Sequence, residues 1–207
     1  MLRGATFSLT KGSYTALVGT NGAGKSTLSS LLVKMLEPNM GQITWDGVPF
    51  NEVKTAEVRR RVVYSRQEVP LFYATLRENL TLGLDVDETQ LWTLLKELDM
   101  ESIVQRLPEG LETMIGGDSI YKLSSGERQL IGLIRALMSP AEVIILDEPT
   151  ATLDMAREER VVRLLESLKG ERTLLIITHR PALLAPADQI LELRAGEVLL
   201  EPTLVAA

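Results

Sequence analysis

The chain has 207 residues, 45% of them hydrophobic, enough to close one good-sized core and too apolar for intrinsic disorder. Its 22 basic and 28 acidic residues give a net charge of −6 with no dense Lys/Arg block, so nucleic acid is not an expected partner. There is no cysteine, which excludes disulfides and thiolate metal sites, and no run approaches the roughly 20 apolar residues that cross a bilayer.

The most apolar stretch, Ile131 to Leu146, is broken by Arg135, Pro140 and Glu142, and Arg3 is not followed by a signal-peptide core. The expectation is a soluble domain that serves a membrane only through a partner or another domain. In chain order, Phe7–Leu9 and Tyr14–Val18 read as strands, followed by a glycine-rich turn. Ser26 to Leu36 reads as a helix with Leu28, Leu31, Leu32 and Met35 on its apolar face. Gln42–Trp45 and Val48–Phe50 form a predicted hairpin around Asp46-Gly47, and Val62–Ser65 a short buried strand. From Thr75 the pattern turns helical: Thr75 and Glu78 have capping-box spacing, Asp87 precedes Glu88–Leu98, and Ser125–Met138 is apolar at Leu130, Leu133, Ile134 and Leu137. Strands return at Val143–Leu146 and Thr173–Ile177 around a helix from Asp154 to Leu168 that Gly170 closes, and Ile190–Leu193 with Glu197–Leu200 makes a last hairpin. The pattern predicts an α/β fold: a core with β hairpins from residues 1–66 and 141–207, interrupted by a helical subdomain at 67–140.

Gly19-Thr20-Asn21-Gly22-Ala23-Gly24-Lys25-Ser26 fits G-x-x-x-x-G-K-[ST] between a strand and a helix. Glycines let backbone N–H groups turn inward around phosphates, and the helix N-terminus adds positive potential. Lys25 suits the β- and γ-phosphates and Ser26 a Mg²⁺ ion. Val143-Ile144-Ile145-Leu146-Asp147-Glu148 is an apolar strand ending in two carboxylates; Asp147 suits the Mg²⁺ shell and Glu148 the attacking water. His179, the only histidine, follows the strand Thr173–Ile177 and is placed for a γ-phosphate contact.

Leu123-Ser124-Ser125-Gly126-Glu127 resembles the signature of ATP-binding cassette (ABC) proteins, usually written LSGGQ. The other motifs follow that family's order: Walker A at Gly19–Thr27, Q-loop at Gln67, signature, Walker B at Val143–Asp147 with Glu148, D-loop at Ala151–Asp154, and H-loop at His179. The resemblance implies a P-loop core of mixed sheet and flanking helices, with an antiparallel β part and an inserted helical subdomain. It implies Mg-ATP hydrolysis in a head-to-tail dimer, each ATP lying between one chain's Lys25 loop and the other's Ser124, Ser125, Gly126 and Glu127. By the same resemblance Asp154 lies at the nucleotide interface, Gln67 contacts Mg²⁺ or water and relays to a transmembrane partner, Glu148 is the base, and His179 senses the γ-phosphate.

Leu71 to Asn79 and Leu107 to Gly116 are similar to exporter segments, which implies a domain at the cytoplasmic membrane face. Ser125 replaces a signature glycine; if that position requires positive φ or close approach to phosphate, its Cβ costs about 1 kcal/mol. Glu127 replaces the usual glutamine, with a mild effect expected because both side chains accept hydrogen bonds. The adenine-stacking aromatic of the family usually precedes a segment like Leu2–Leu9, so the expectation is weak nucleotide affinity. Alternatives are a non-transport ABC ATPase and a slow or regulatory ATP-binding module.

Overall fold

The computed structural model describes residues 2–201; Met1 and residues 202–207, included in the expected 1–207 span, lie outside the described residues. The central sheet has six strands, ordered β10 (Glu197–Glu201), β9 (Gln189–Arg194), β1 (Tyr14–Val18), β8 (Thr173–Ile177), β7 (Val143–Asp147) and β4 (Val62–Ser65). All neighbours pair in parallel except the β9–β10 hairpin at the edge. Parallel pairing buries both faces, and the strand sequences show it. Ile144, Leu146, Leu174 and Ile176 face one core, while Ile145, Leu175 and Ile177 alternate into a second core with Leu17, Leu28, Val62 and Leu191.

The first core is shared with the helices of the middle segment. These are α3 (Leu76–Thr81), α4 (Glu88–Glu97), α5 (Glu101–Arg106) and α6 (Ser125–Met138), with α1 (Lys25–Leu32) and α2 (Thr55–Arg61) preceding them in the chain. Both expected capping features form. Thr75 Oγ1 accepts from the Glu78 N–H while Glu78 accepts from the Thr75 N–H, and Asp87 accepts from the Thr89 N–H. Two short antiparallel pairs lie outside the main sheet: β2 (Thr44–Trp45) with β3 (Val48–Pro49), and β5 (Ala74–Thr75) with β6 (Met114–Ile115). The chain then runs through α7 (Met155–Ser167) and α8 (Pro181–Leu184). Among the described residues no helix is long and apolar enough to cross a membrane.

Two expectations are corrected. Phe7–Leu9 keeps its alternation, Phe7 and Leu9 packing on the second core, but forms no strand, because among the described residues no neighbouring strand pairs with it. Helix α1 stops at Leu32 instead of running to Leu36. Lys34 turns left-handed at φ 53, and its ammonium donates to the carbonyls of Phe50 at 2.6 Å and Val53 at 2.7 Å. This tertiary anchor outweighs the helical periodicity and leaves Met35 exposed. Helix α5, six residues of which only Ile103 and Val104 are apolar, and the two-residue strands β5 and β6 are too short to leave a periodic signal in the sequence.

Candidate active site

In parallel sheets the loops at the carboxyl ends of the strands form the crevice. Register brings four such ends together here: Leu17 pairs with Ile177, Ile177 with Asp147, and Leu146 with Ser65. The residues that follow are Gly19 to Lys25, His179, Glu148 and Gln67. One edge of the sheet therefore gathers the phosphate-loop, acidic, histidine and glutamine candidates.

Gly19, Gly22 and Gly24 all have positive φ, at 157, 81 and 109 degrees. A Cβ on Gly19 would meet the Leu193 carbonyl at 2.5 Å, so this turn must be glycine to pass beside β9. A Cβ on Gly22 would meet nothing, because that side of the loop is open. Lys25 folds over the turn, its Nζ donating to the carbonyls of Gly19 at 2.7 Å and Thr20 at 3.1 Å. Among the described residues it forms no ion pair, so a full positive charge faces an open glycine turn at the mouth of α1. Thr20, Asn21, Ser26 and Thr27 are exposed around it, whereas Ala23 is buried and anchors the loop in the second core. The arrangement fits a polyphosphate.

Asp147 ends β7 within the field of Lys25, and its Oδ2 accepts from the Tyr64 hydroxyl at 3.0 Å. Burial raises the Asp147 carboxyl above the usual aspartate range, against the lowering effects of Tyr64 and Lys25. Tyr64 is itself pushed up to about 12, by burial first and then by the Asp147 charge. It is therefore a fixed donor at neutral pH. No cluster of three or more His, Cys, Asp or Glu side chains with metal-ligand geometry occurs among the described residues. Mg²⁺ is usually held by one or two carboxylates together with substrate phosphates. Asp147 and the Ser26 hydroxyl are the residues here that fit it.

Glu148 sits at φ 49, a left-handed conformation that costs a non-glycine residue about 1–2 kcal/mol. The conformation is fixed on both sides. The Glu148 N–H donates to the Ile177 carbonyl at 2.8 Å, and the Glu148 carbonyl accepts from Gln129 Nε2 at 2.6 Å. Its carboxylate turns toward the end of β8: Oε1 lies 2.7 Å from His179 Nδ1 and Oε2 lies 3.4 Å from Thr178 Oγ1. Glu148 is nearly buried while the His179 side chain is 79% exposed, so the imidazole is anchored through Nδ1 and otherwise open to solvent. The loop beyond is braced by Arg180, which donates to Glu158 at 3.0 Å and to the Ala151 carbonyl at 2.9 Å, while Thr150 donates to the same Glu158 at 2.7 Å.

Ser124 caps α6. Its Oγ accepts from the Glu127 N–H at 3.2 Å, and Glu127 Oε2 accepts from the Ser124 N–H at 2.7 Å. Glu127 is buried and pairs with Arg106 at 2.6 Å. Burial alone would raise its carboxyl; the Ser124 N–H and then Arg106 outweigh that and hold it below the usual glutamate range. Ser124 and Ser125 are exposed, so the mouth of this 14-residue helix opens to solvent. Ser125 is an ordinary helical residue and is not among those with positive φ, so backbone strain from its Cβ is absent. Gly126 has a different reason to be glycine: a Cβ there would stand 3.2 Å from the Thr152 carbonyl and 3.3 Å from Leu153 Cδ2.

The structure thus brings together Lys25, Asp147, Glu148 and His179 at one edge. Gln67 lies at the same edge but is exposed, with no hydrogen bond to the others among the described residues. The Asp154 carboxylate caps α7, accepting from the Arg157 N–H at 2.9 Å, and the residue is exposed. Sequence reading missed Tyr64, Gln129 and Arg180. The signals were a phenol in a short strand and an amide beside Leu130 on the buried side of α6; Arg180 gave none.

The ABC transporter family model matches residues 2–151. The ATP-dependent lipid A-core flippase of Alcanivorax borkumensis is 36% identical over 201 residues, covering 96% of this chain and 34% of the flippase. A multidrug resistance ABC transporter ATP-binding and permease protein of Lactococcus lactis is also 36% identical, over 200 residues, with 96% and 34% covered. The solved structure of a bacterial Atm1-family ABC exporter with ATP bound matches with a TM-score of 0.87 at 31% identity, covering 95% of this chain and 34% of that one. The chain spans about a third of the length of these relatives.

Proposed function

The chain belongs to the ABC transporter family as an ATPase domain, and from that premise we propose that it hydrolyses Mg-ATP as one half of a dimer and so powers an exporter. The observation that carries this reading is the contact between Glu148 and His179 at 2.7 Å, on the sheet edge that also presents Lys25 at the glycine turn.

Lys25 exchanges its two carbonyl partners for β- and γ-phosphate oxygens, and the backbone N–H groups of Gly22 to Ser26 ring the same group, with Thr20, Asn21 and Thr27 at its rim. Ser26 and Asp147, with Gln67 at the same edge, would hold Mg²⁺, which would neutralise phosphate charge when bound. Glu148 takes a proton from the attacking water while the water oxygen bonds to the γ-phosphorus and the bond to the ADP oxygen breaks. His179 orients that carboxylate through Nδ1 and presents Nε2 to the γ-phosphate.

Ser124, Ser125 and Gly126, the N-terminal turn of α6, supply the second grip on the nucleotide of a neighbouring chain, with Glu127 holding the turn and Asp154 beside it. The helices of 67–140 act as the signature-bearing subdomain, packed on the core of 1–66 and 141–207. Exposed Phe72 and Tyr73, on the loop after Gln67, suit a transmembrane partner and support a position at the cytoplasmic membrane face. The relatives' names, flippase and ATP-binding and permease protein, support the same reading.

The test is steady-state phosphate release by the chain and by Glu148→Gln. Loss of about a hundredfold or more in kcat supports the proposal. Equal, slow rates from the two would identify a module that holds ATP without turning it over.

A further inference from the structure

Helix α6 carries the signature residues at its exposed mouth, but one turn further in it meets its own chain's catalytic loop. Gln129, buried among Leu130, Leu133 and the small cavity behind Asp147, uses both ends of its amide. Nε2 donates to the Glu148 carbonyl at 2.6 Å, and Oε1 accepts from the Thr152 N–H at 2.9 Å and from the Thr152 hydroxyl at 2.8 Å. Gly126, on the same face of the helix, lies against the Thr152 carbonyl and Leu153 closely enough that a Cβ would touch both. Nothing else in the described structure bonds the Glu148 carbonyl from outside its own turn, where the Ala151 N–H reaches it at 3.2 Å.

We propose that Gln129 is a positioning residue for hydrolysis: it pins the left-handed backbone of Glu148 and the following loop to the signature helix of the same chain. The inference rests on Glu148 acting as the base. A carboxylate on a backbone in this region keeps its aim only if both flanking peptide groups are held. The Ile177 carbonyl holds one and Gln129 the other. Because the same amide holds Thr152, a shift of α6 moves Glu148 and the loop to Asp154 together. Contact of a neighbouring chain's nucleotide with Ser124 and Ser125 therefore bears on this chain's own water-activating group.

The experiment combines kinetics with hydrogen exchange on the full chain. Gln129→Leu keeps the volume and removes both interactions; Gln129→Glu keeps the acceptor for Thr152 and loses the donor to Glu148. Both are expected to lower kcat by about tenfold to a hundredfold, with KM for ATP changed by less than about twofold. In the Glu148→Gln background, Gln129→Leu is expected to cause no further loss, since its effect passes through the missing carboxylate. Without nucleotide, the Thr152 amide should lose protection in Gln129→Leu and keep it in Gln129→Glu, a readout independent of turnover. If Gln129→Leu does not fold, Gln129→Glu alone decides through the split between kcat and KM. A chain sensitive to Glu148→Gln but not to either Gln129 variant overturns this inference and leaves the ATPase reading intact; so does an equal further loss in the Glu148→Gln background. Insensitivity to Glu148→Gln itself overturns both.

Discussion

A methyl group on Gly132 would measure how tightly α6 grips the segment carrying Gln67. Gly132 lies in the middle of α6 in ordinary helical conformation, where alanine is intrinsically better by about 0.5–1 kcal/mol. Its added Cβ, however, would overlap Val69 Cγ2 and stand 3.1 Å from Ser65 Oγ and 3.3 Å from Val69 Cγ1. Valine is stiff at χ1 and cannot swing away, so the loop after β4 must move. Overpacking of this kind costs about 1–3 kcal/mol. The net expectation for Gly132→Ala is a loss of about 0.5–2 kcal/mol, lowering the urea midpoint by a few tenths of a molar to about 1 M. Adding Val69→Ala removes the overlap and lets the helix preference show, so a double-mutant cycle should give a favourable coupling of about 1–3 kcal/mol. Urea unfolding of the four chains is the assay. If Gly132→Ala alone raises the midpoint and the cycle gives no coupling, the packing of the Gln67 segment on α6 is wrong.

Other outcomes are equally specific. Tyr64 is raised to about 12, and Tyr14, buried and near Glu166, still further, so neither should ionise in the folded chain near pH 10. Because both folded values lie above the unfolded one, their contribution to stability is complete below about pH 10 and is lost as pH rises through the folded values; absorbance of tyrosinate during an alkaline titration, compared with the unfolded chain, checks this. Arg106→Met removes the guanidinium from the buried Glu127 and should cost about 1 kcal/mol, a figure kept low because Arg106 is half exposed. With the folded carboxyl depressed, the Glu127 contribution is present above the unfolded glutamate value and disappears as pH falls through the folded one, so the acid limb of Arg106→Met should move to higher pH in a stability profile.

The fold was legible wherever local chemistry and tertiary need agreed. Helix α6 came out with its predicted bounds because Ser124 and Glu127 cap it, Pro140 follows its end and its apolar face meets the sheet. Strands β7 and β8 were readable as continuous apolar runs because both their faces are covered. Phe7–Leu9 failed because alternation reports burial of one face and says nothing about a partner strand. Helix α1 failed at its end because the stop is a lysine anchored on residues of a later segment, a contact invisible to periodicity. For the site, Lys25, Asp147, Glu148 and His179 were each readable as the residue following a strand or opening a helix, and register does the rest. The left-handed backbone of Glu148, and the Gln129 amide that holds it, were not. Neither a turn conformation at a non-glycine residue nor a hydrogen bond between distant segments leaves a pattern in the local sequence.

The central claim is that one triphosphate is gripped by the Lys25 loop of one chain and the exposed α6 mouth of another. Two variants, each expected to be inactive alone, test it directly: Lys25→Ala, with the loop spoiled, and Ser125→Trp, which obstructs the mouth at an exposed first-turn residue. Mixed in equal amounts, they should regain part of the ATPase rate through composite sites that pair an intact loop with an intact mouth. A Ser125→Trp chain that hydrolyses ATP by itself as fast as the unsubstituted chain would contradict the account.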